Sequence, residues 1–349
     1  MGQNLNQVFV GSYAPATEEA ITLYRYNAEE GTLDRTGGIS GIESASFLAV
    51  DADRGLLFAV SETKDGHVVS FRKQEDGTYT EVSRQSSHGD YTCHLSLDAS
   101  GEWLLAVNYM SGNVLVYAVS TDGKLSPATD EVKHEGSSVR TDRQEAPHAH
   151  SVFPVPDTDL YLVNDLGTDT VVTYKLDRAS GKLTKQAEMK AVPGAGPRHL
   201  AFHPTLPLVY VLNELDATVA VCTLDRTTGK LEQKQTISTL PDDFSGDNLC
   251  AEIQVSADGK FVYASNRGHD SIVTLSIAAD GSLSTVGFTP SGGKVPRNFT
   301  LSPDGRFLLA ANQESHLIAV LAIQHNGMPQ QSGHTCHVTK PVCVRFGKA

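Results

Sequence analysis

The 349-residue sequence predicts an all-β fold: a seven-bladed β-propeller with four antiparallel strands per blade, in one domain over residues 1–349. Three observations predict it. A self-similar block recurs along the chain, each block holds four short strands divided by turn signals, and the two chain ends carry complementary fragments of one more block.

The block is clearest in "CHLSLDASGEWLLAVNYMSGNVLVYAVSTDGKLSPA" from Cys93 and "RHLAFHPTLPLVYVLNELDATVAVCTLDRTTGKLEQ" from Arg198. It returns in "AEIQVSADGKFVYASNRGHDSIVTLSIAADGSLSTV" from Ala251 and "RNFTLSPDGRFLLAANQESHLIAVLAIQHNGMPQQ" from Arg297, with looser copies near Ser46 and Ala149. Each copy opens on a short alternating strand and a turn, often Asp-Gly. An apolar second strand, a polar turn, a third strand, a Gly turn and a polar fourth strand follow. In the Cys93 copy the fourth strand is expected at "GKLSPA". Four strands in this span match a propeller blade, whereas a β-sandwich explains the strands but not the self-similarity.

These copies are blades 1 to 6. Near the C-terminus "KPVCVRFG" matches only a first strand, and "QVFVGSYAPATEEAITLYRYNAEEGTLDRTG" near the N-terminus matches the other three. Blade 7 is therefore expected from residues near 7–36 and 340–346. Such a join pairs the edge strands that an open ring would leave bare.

Composition narrows the partners. A hydrophobic content of 40% with 20% charged residues belongs to a chain with ample core. The net charge of −13, with no basic patch or stripe, argues against nucleic acid. It also gives an anionic ligand no long-range help, so such a ligand needs local arginines. The opening "MGQNLNQVFVGSY" lacks the charged-then-apolar pattern of a secretory signal, and no apolar run reaches membrane-spanning length. No membrane association and a cytoplasmic location are expected. The five cysteines are scattered, odd in number and without a CxxC pair, as reduced thiols would be, and neither metal nor other cofactor is expected.

A second regularity lies inside the copies. Fourteen residues separate Phe47 from Ser61, His94 from Asn108, His150 from Asn164, His199 from Asn213, Glu252 from Asn266 and Asn298 from Asn312. The first member opens a first strand and the second ends the strand that returns beside it, so both lie at one end of the blade. First strands line a propeller's channel, which gathers these residues at one mouth, followed by Asp165, Glu214, Arg267 or Gln313 just beyond each asparagine. The repeated asparagines suit turn caps. Repetition does not demand His in one blade, Glu in the next and Arg in a third, so this mouth is the candidate site.

Between first-strand anchors the steps are 47, 56, 49, 53 and 46 residues. The two long steps hold "EVKHEGSSVRTDRQEAP" before His148 and "LPDDFSGDNLC" before Glu252, both entering the mouth end, where loops on a rigid scaffold carry function. His150 falls in the polar ring. His148 stands two residues earlier, beside the loop that carries Arg140 and Arg143. It can hold a loop carbonyl or face a ligand; no third metal ligand can be named for the pair.

The segments "PHAHSV", "GPRHLAFHP", "YVLNE" and "YASNRGHDSI" resemble the lactonase family of seven-bladed propellers over essentially the whole chain. That family includes propeller-type 6-phosphogluconolactonases and fungal carboxymuconate cycloisomerases. The resemblance implies that His150, Arg198, Glu214 and Arg267 form the active site, since they match the His, Arg, Glu and Arg set of the cycloisomerase branch. It also implies a small anionic lactone as substrate.

Lactone hydrolysis needs a base for water, a donor for the developing oxyanion and a cation for an acidic substrate. Glu214 or His150 can be the base, and Arg198 and Arg267 suit a phosphate or carboxylate. His94, Arg143, His148, Asn164, His199, Glu252 and Asn298 are candidate substrate contacts. Without a GxSxG elbow, direct attack by water is preferred over a serine acyl-enzyme. The same acid and base would serve a lactone cycloisomerase, and a non-catalytic propeller that binds a partner on its rim is the third reading.

Overall fold

A computed structural model describes residues 7–347; the N-terminal stretch read above lies partly outside these, in residues 1–6. Seven four-stranded antiparallel sheets make up the described chain. Blade 1 runs from Leu48–Asp51 to Tyr79–Ser86, blade 2 from Thr92–Leu97 to Asp130–Lys133, and blade 3 from Ala149–Pro154 to Lys182–Lys190. Blade 4 runs from Pro197–Phe202 to Leu231–Ser238, blade 5 from Leu249–Val255 to Leu283–Pro290, and blade 6 from Pro296–Leu301 to Pro329–His337. Blade 7 joins the C-terminal strand Pro341–Phe346 to Gln7–Ser12, Ile21–Asn27 and Thr32–Ile39. Val8 pairs with Phe346 and Val10 with Val344, so the two chain ends close the ring as expected.

Burial follows position in the blade. First strands pack against the first strands of neighbouring blades, around the channel. Second strands such as Leu160–Asp165 and Leu208–Asn213 are buried at every residue, because a neighbouring blade covers each face. That is why they read as unbroken apolar runs rather than alternating ones. Fourth strands alternate between covered and exposed, as in Leu231–Ser238. Buried tyrosines tie blade to blade: the Tyr210 hydroxyl donates to the Gly281 carbonyl at 3.1 Å and Tyr263 to Gly327 at 2.9 Å. A buried phenol needs such an acceptor, which the Gly turn of the next blade supplies.

One strand lies elsewhere than expected. In blade 2 the fourth strand is Asp130–Lys133, drawn from the first residues of the long insertion, and "GKLSPA" contributes only a bridge from Leu125 to Val119. Pro127 has no amide hydrogen to give a ladder, so regular pairing resumes beyond it. The insertion proper is thus residues 134–148.

The repeated asparagines are largely latches. Asn108 donates from Nδ2 to the Ser87 carbonyl at 2.7 Å, Asn266 to Thr239 at 2.7 Å and Asn312 to Ser291 at 3.1 Å. Each acceptor follows the fourth strand of the preceding blade, so the asparagine pins the crossing from one blade to the next. Asn164 and Asn213 differ: Asn164 is fully buried and donates to the Ser151 hydroxyl at 2.8 Å, and Asn213 donates to the Thr218 hydroxyl of its own blade at 2.9 Å.

In blades 2 to 7 the pairing between first and second strands slips at the mouth end. Thr92 pairs with Asn108 and His94 with Val107, leaving Cys93 extra; Pro197 and His199 flank Arg198 in the same way, and Pro296 and Asn298 flank Arg297. In blade 3 the extra residue is His150, between Ala149 and Ser151. A β-bulge re-aims the side chain of its unpaired residue.

Candidate active site

The bulges deliver His150 and Arg198 to the channel mouth, and the hairpin that follows Arg198 returns Glu214 beside it. Gly196, with φ of +67°, turns the chain into blade 4, a conformation that a residue with a Cβ resists. Its amide donates to Asp169 Oδ1 and its carbonyl accepts the Glu214 amide, both at 2.7 Å. The loop that aims Arg198 is therefore anchored at both ends of one residue.

Glu214 is the hub. Arg198 Nε lies 2.8 Å from Oε2, Arg267 Nη2 2.9 Å from Oε2 and Arg143 Nη2 2.7 Å from Oε1, while His150 Nε2 stands 3.9 Å from Oε2. The four residues expected at one mouth do converge. Burial acts to raise the Glu214 pKa, but the guanidinium groups of Arg267, Arg198 and Arg143 outweigh it and bring it down to about 2. Burial lowers Arg267 to about 10, which still leaves it charged at neutral pH. So clamped a carboxylate has little appetite for a proton, which counts against Glu214 as the base.

His150 is buried and its imidazole is held well below its ordinary pKa, first by burial and then by Arg198. It is neutral at pH 7. Its Nδ1 is buried without a partner among the described residues. His150, Arg198, His199, Arg297, Glu62 and Ser46 share one narrow cavity at the mouth. Larger grooves lie elsewhere, between the outer parts of neighbouring blades, but they hold none of this cluster.

Arg198 is held on three sides: by Glu214, by the Ala251 carbonyl, and by His199 Nε2 at 3.2 Å from Nη1. His199 Nδ1 lies 3.1 Å from Glu252 Oε1, so Nδ1–H donates there and Nε2 keeps the lone pair that accepts from Arg198. Burial pulls His199 down to about 4 against the pull of Glu252, which keeps the ring neutral. Asn298 donates to Glu252 and accepts the Val344 amide at 2.8 Å, linking this chain to the closing strand. Arg198 Nη2 has no hydrogen-bond partner among the described residues.

The remaining expected contacts are placed as follows. His148 gives Nδ1 to the Tyr109 carbonyl at 2.9 Å, stacks on the Tyr109 ring and meets Glu145 with Nε2 at 3.3 Å. Both its nitrogens are thus engaged by the protein. His94 lies in the channel against Phe47 and His199, and its Nε2 has no partner among the described residues. Arg143 and Arg267 grip Glu214 from outside the cavity wall, and Arg267 also donates to the Leu249 and Cys250 carbonyls. Arg267 is thus turned toward protein acceptors, not toward the cavity where an anionic substrate was expected to meet it.

Sequence reasoning missed Arg297, Glu62, Ser46 and Tyr13. The signal was present: Arg297 occupies in blade 6 the position of Arg198 in blade 4, and Glu62 in blade 1 that of Glu214. No group of three or more His, Cys, Asp or Glu side chains is arranged to hold a metal ion among the described residues. The five cysteines are free thiols.

A family model described as lactonase, 7-bladed beta-propeller, matches residues 7–346, and the chain belongs to that family. It is 32% identical over 293 residues to a 6-phosphogluconolactonase of Bacillus subtilis, covering 83% of each chain. In structure it is similar to a periplasmic gluconolactonase of Pseudomonas aeruginosa, with a TM-score of 0.90 and 30% identity over 98% of this chain and 99% of that one. A Lactobacillus plantarum protein gives a TM-score of 0.92 at 28% identity, over 98% and 99% of the two chains.

Proposed function

We propose that this member of the lactonase family hydrolyses a small anionic lactone, 6-phosphogluconolactone in first place, to its hydroxy acid by direct attack of water. The observation that carries the reading is a neutral His150 whose Nδ1, like Nη2 of the Arg198 that shares its cavity, has no hydrogen-bond partner among the described residues. His150 takes the proton of the attacking water at Nδ1. Arg198 donates from Nη2 to the oxyanion that develops on the lactone carbonyl, in a site where burial strengthens that contact. The protonated imidazole, stabilised by Glu214 across 3.9 Å, then returns its proton to the ring oxygen as the ester bond breaks. Glu214 orients the two groups and stays ionised throughout.

The test is turnover of freshly made 6-phosphogluconolactone, corrected for its spontaneous hydrolysis, alongside glucono-lactone and a muconolactone. Hydrolysis of a lactone with loss of activity in His150→Asn supports the reading. Isomerisation without hydrolysis assigns the chain to the cycloisomerase branch, and inertness toward the whole panel overturns both.

A further inference from the structure

The cavity holds two cations of different standing. Arg198 is pinned by a carboxylate, a carbonyl and an imidazole. Arg297 has no side-chain hydrogen bond among the described residues. Its nearest anion is Glu62, with Nη2 4.0 Å from Oε1, and its guanidinium lies over the Tyr13 ring at 5.4 Å. Glu62 is itself held by Tyr13, whose hydroxyl donates to Oε2 at 2.9 Å. The aromatic ring supports the flat face of the guanidinium and leaves its donor edge open. A half-buried arginine without a hydrogen-bonding anion is uncommon, because its desolvation is uncompensated.

A second, independent feature points to a ligand in the same place. Ser46 lines this cavity and is 4% exposed, and its hydroxyl has no partner among the described residues. On the lactonase reading, Arg198 is already held by three protein groups, so Arg297 is the guanidinium of this cavity with an open edge for a further group of the substrate.

We propose that Arg297, Glu62 and Ser46 form a recognition subsite for a group of the substrate other than the lactone carbonyl. The Arg297 fork receives an anionic oxygen group, a phosphate or a carboxylate. Glu62 and Ser46 bond neighbouring hydroxyls, Glu62 as acceptor and Ser46 in either sense. Tyr13 is a positioning residue that holds Glu62 and underlies Arg297. Arg267, turned to backbone carbonyls and Glu214, is not the substrate's anion receptor.

The subsite rests on the lactonase reading for its substrate, but its test reads binding as well as turnover. Binding of 6-phosphogluconate and of gluconate is measured by calorimetry on the full chain, for wild type, Arg297→Gln and Arg297→Lys. Wild type is expected to bind the phosphorylated acid roughly 10- to 100-fold more tightly, the worth of one charge-assisted contact, and Arg297→Gln to abolish that preference. Arg297→Lys keeps the charge without the fork and should retain part of it, which covers the case in which the glutamine variant does not fold. In kinetics the same substitution should raise KM for the phosphorylated lactone with little change for the neutral one. Equal affinity of wild type for the two acids, or an undiminished preference in both variants, overturns the subsite. If the preference depends on Arg297 but no lactone is turned over, the subsite stands and the hydrolase reading fails. If lactones are hydrolysed with no role for Arg297, the reverse holds.

Discussion

Arg143 Nη2 lies 2.7 Å from Glu214 Oε1, although one residue belongs to the insertion before blade 3 and the other directly follows the second strand of blade 4. The same Nη2 also donates to the Tyr109 hydroxyl of blade 2 at 3.2 Å, so three blades meet at one guanidinium. The contact completes a cage of three arginines around one buried carboxylate.

That cage makes Glu214 a stability residue. Glu214→Gln keeps the shape but leaves Arg198 and Arg267 buried with no anion between them. Removing one partner of a buried ionic cluster costs about 3–5 kcal/mol, so urea unfolding of this variant should lose stability on that scale. Arg143→Gln, at the partly exposed edge of the cluster, should lose about 1 kcal/mol or less. Equal, small losses in both variants would show that the cage carries no strain-bearing charge.

His150→Asn should separate chemistry from folding. Asparagine still fits the bulge and bonds, but it does not accept a proton at neutral pH. The expected result is a kcat lower by roughly 10²–10⁴-fold with KM and the unfolding midpoint nearly unchanged. A near-normal kcat would remove His150 from the reaction.

Arg198→Lys retains a cation yet lacks the geometry to satisfy Glu214, Ala251 and His199 together and still offer a free donor. It should lower kcat by about 10²–10³-fold, the usual worth of an oxyanion donor, and change KM less. A dominant rise in KM would instead place the substrate's anion on Arg198.

Acid should unfold the protein in two windows. His199 is depressed from 6.5 to about 4, so the unfolded chain takes up a proton below pH 6.5 that the folded chain refuses until about pH 4. Stability present above pH 6.5 is therefore lost as pH falls through this range, by on the order of 3 kcal/mol. Glu214, depressed from 4.5 to about 2, extends the loss from pH 4.5 downward. Urea titrations at pH 7, 5.5 and 4 check the first window, and His199→Gln, which has no titrating ring, should make it shallower without abolishing it, because burial also holds His94 and His150 below their ordinary pKa.

Removing the chain from Pro341 onward deletes the first strand of blade 7. It bares the edge of Gln7–Ser12 and takes away the Val344 amide that holds Asn298. The truncated protein should lose its cooperative unfolding transition, measured by calorimetry, where loss of an unstructured tail would leave it intact.

Much of this architecture was legible because a propeller writes its fold as repetition. The register between His150 and Asn164, or His199 and Asn213, marks one end of blades 1 to 6 without reference to coordinates. What stayed hidden depends on contacts across blades. The Arg143–Glu214 pair spans 71 residues, and no spacing rule links a loop to a strand that lies beyond the next blade. The bulges were also invisible, since one extra residue in a short strand leaves no mark on alternation this brief. Arg297 and Glu62 were readable as repeat-mates of Arg198 and Glu214. The aromatic Phe47 at the ring position of blade 1, beside a plain Ser61, drew no attention to the carboxylate that follows it.

The bulges have a consequence for how new chemistry enters such a scaffold. Cys93, His150, Arg198 and Arg297 stand outside the strand-to-strand register, so the pairing of the ladder does not itself fix their size or charge. Each is a slot whose occupant can change while the ladder on either side stays intact, and seven-fold repetition multiplies such slots around a single mouth. The fold thereby divides its positions into those that hold the ring together and those that are free to be rewritten, which is the arrangement that lets one architecture acquire different substrates by single substitutions.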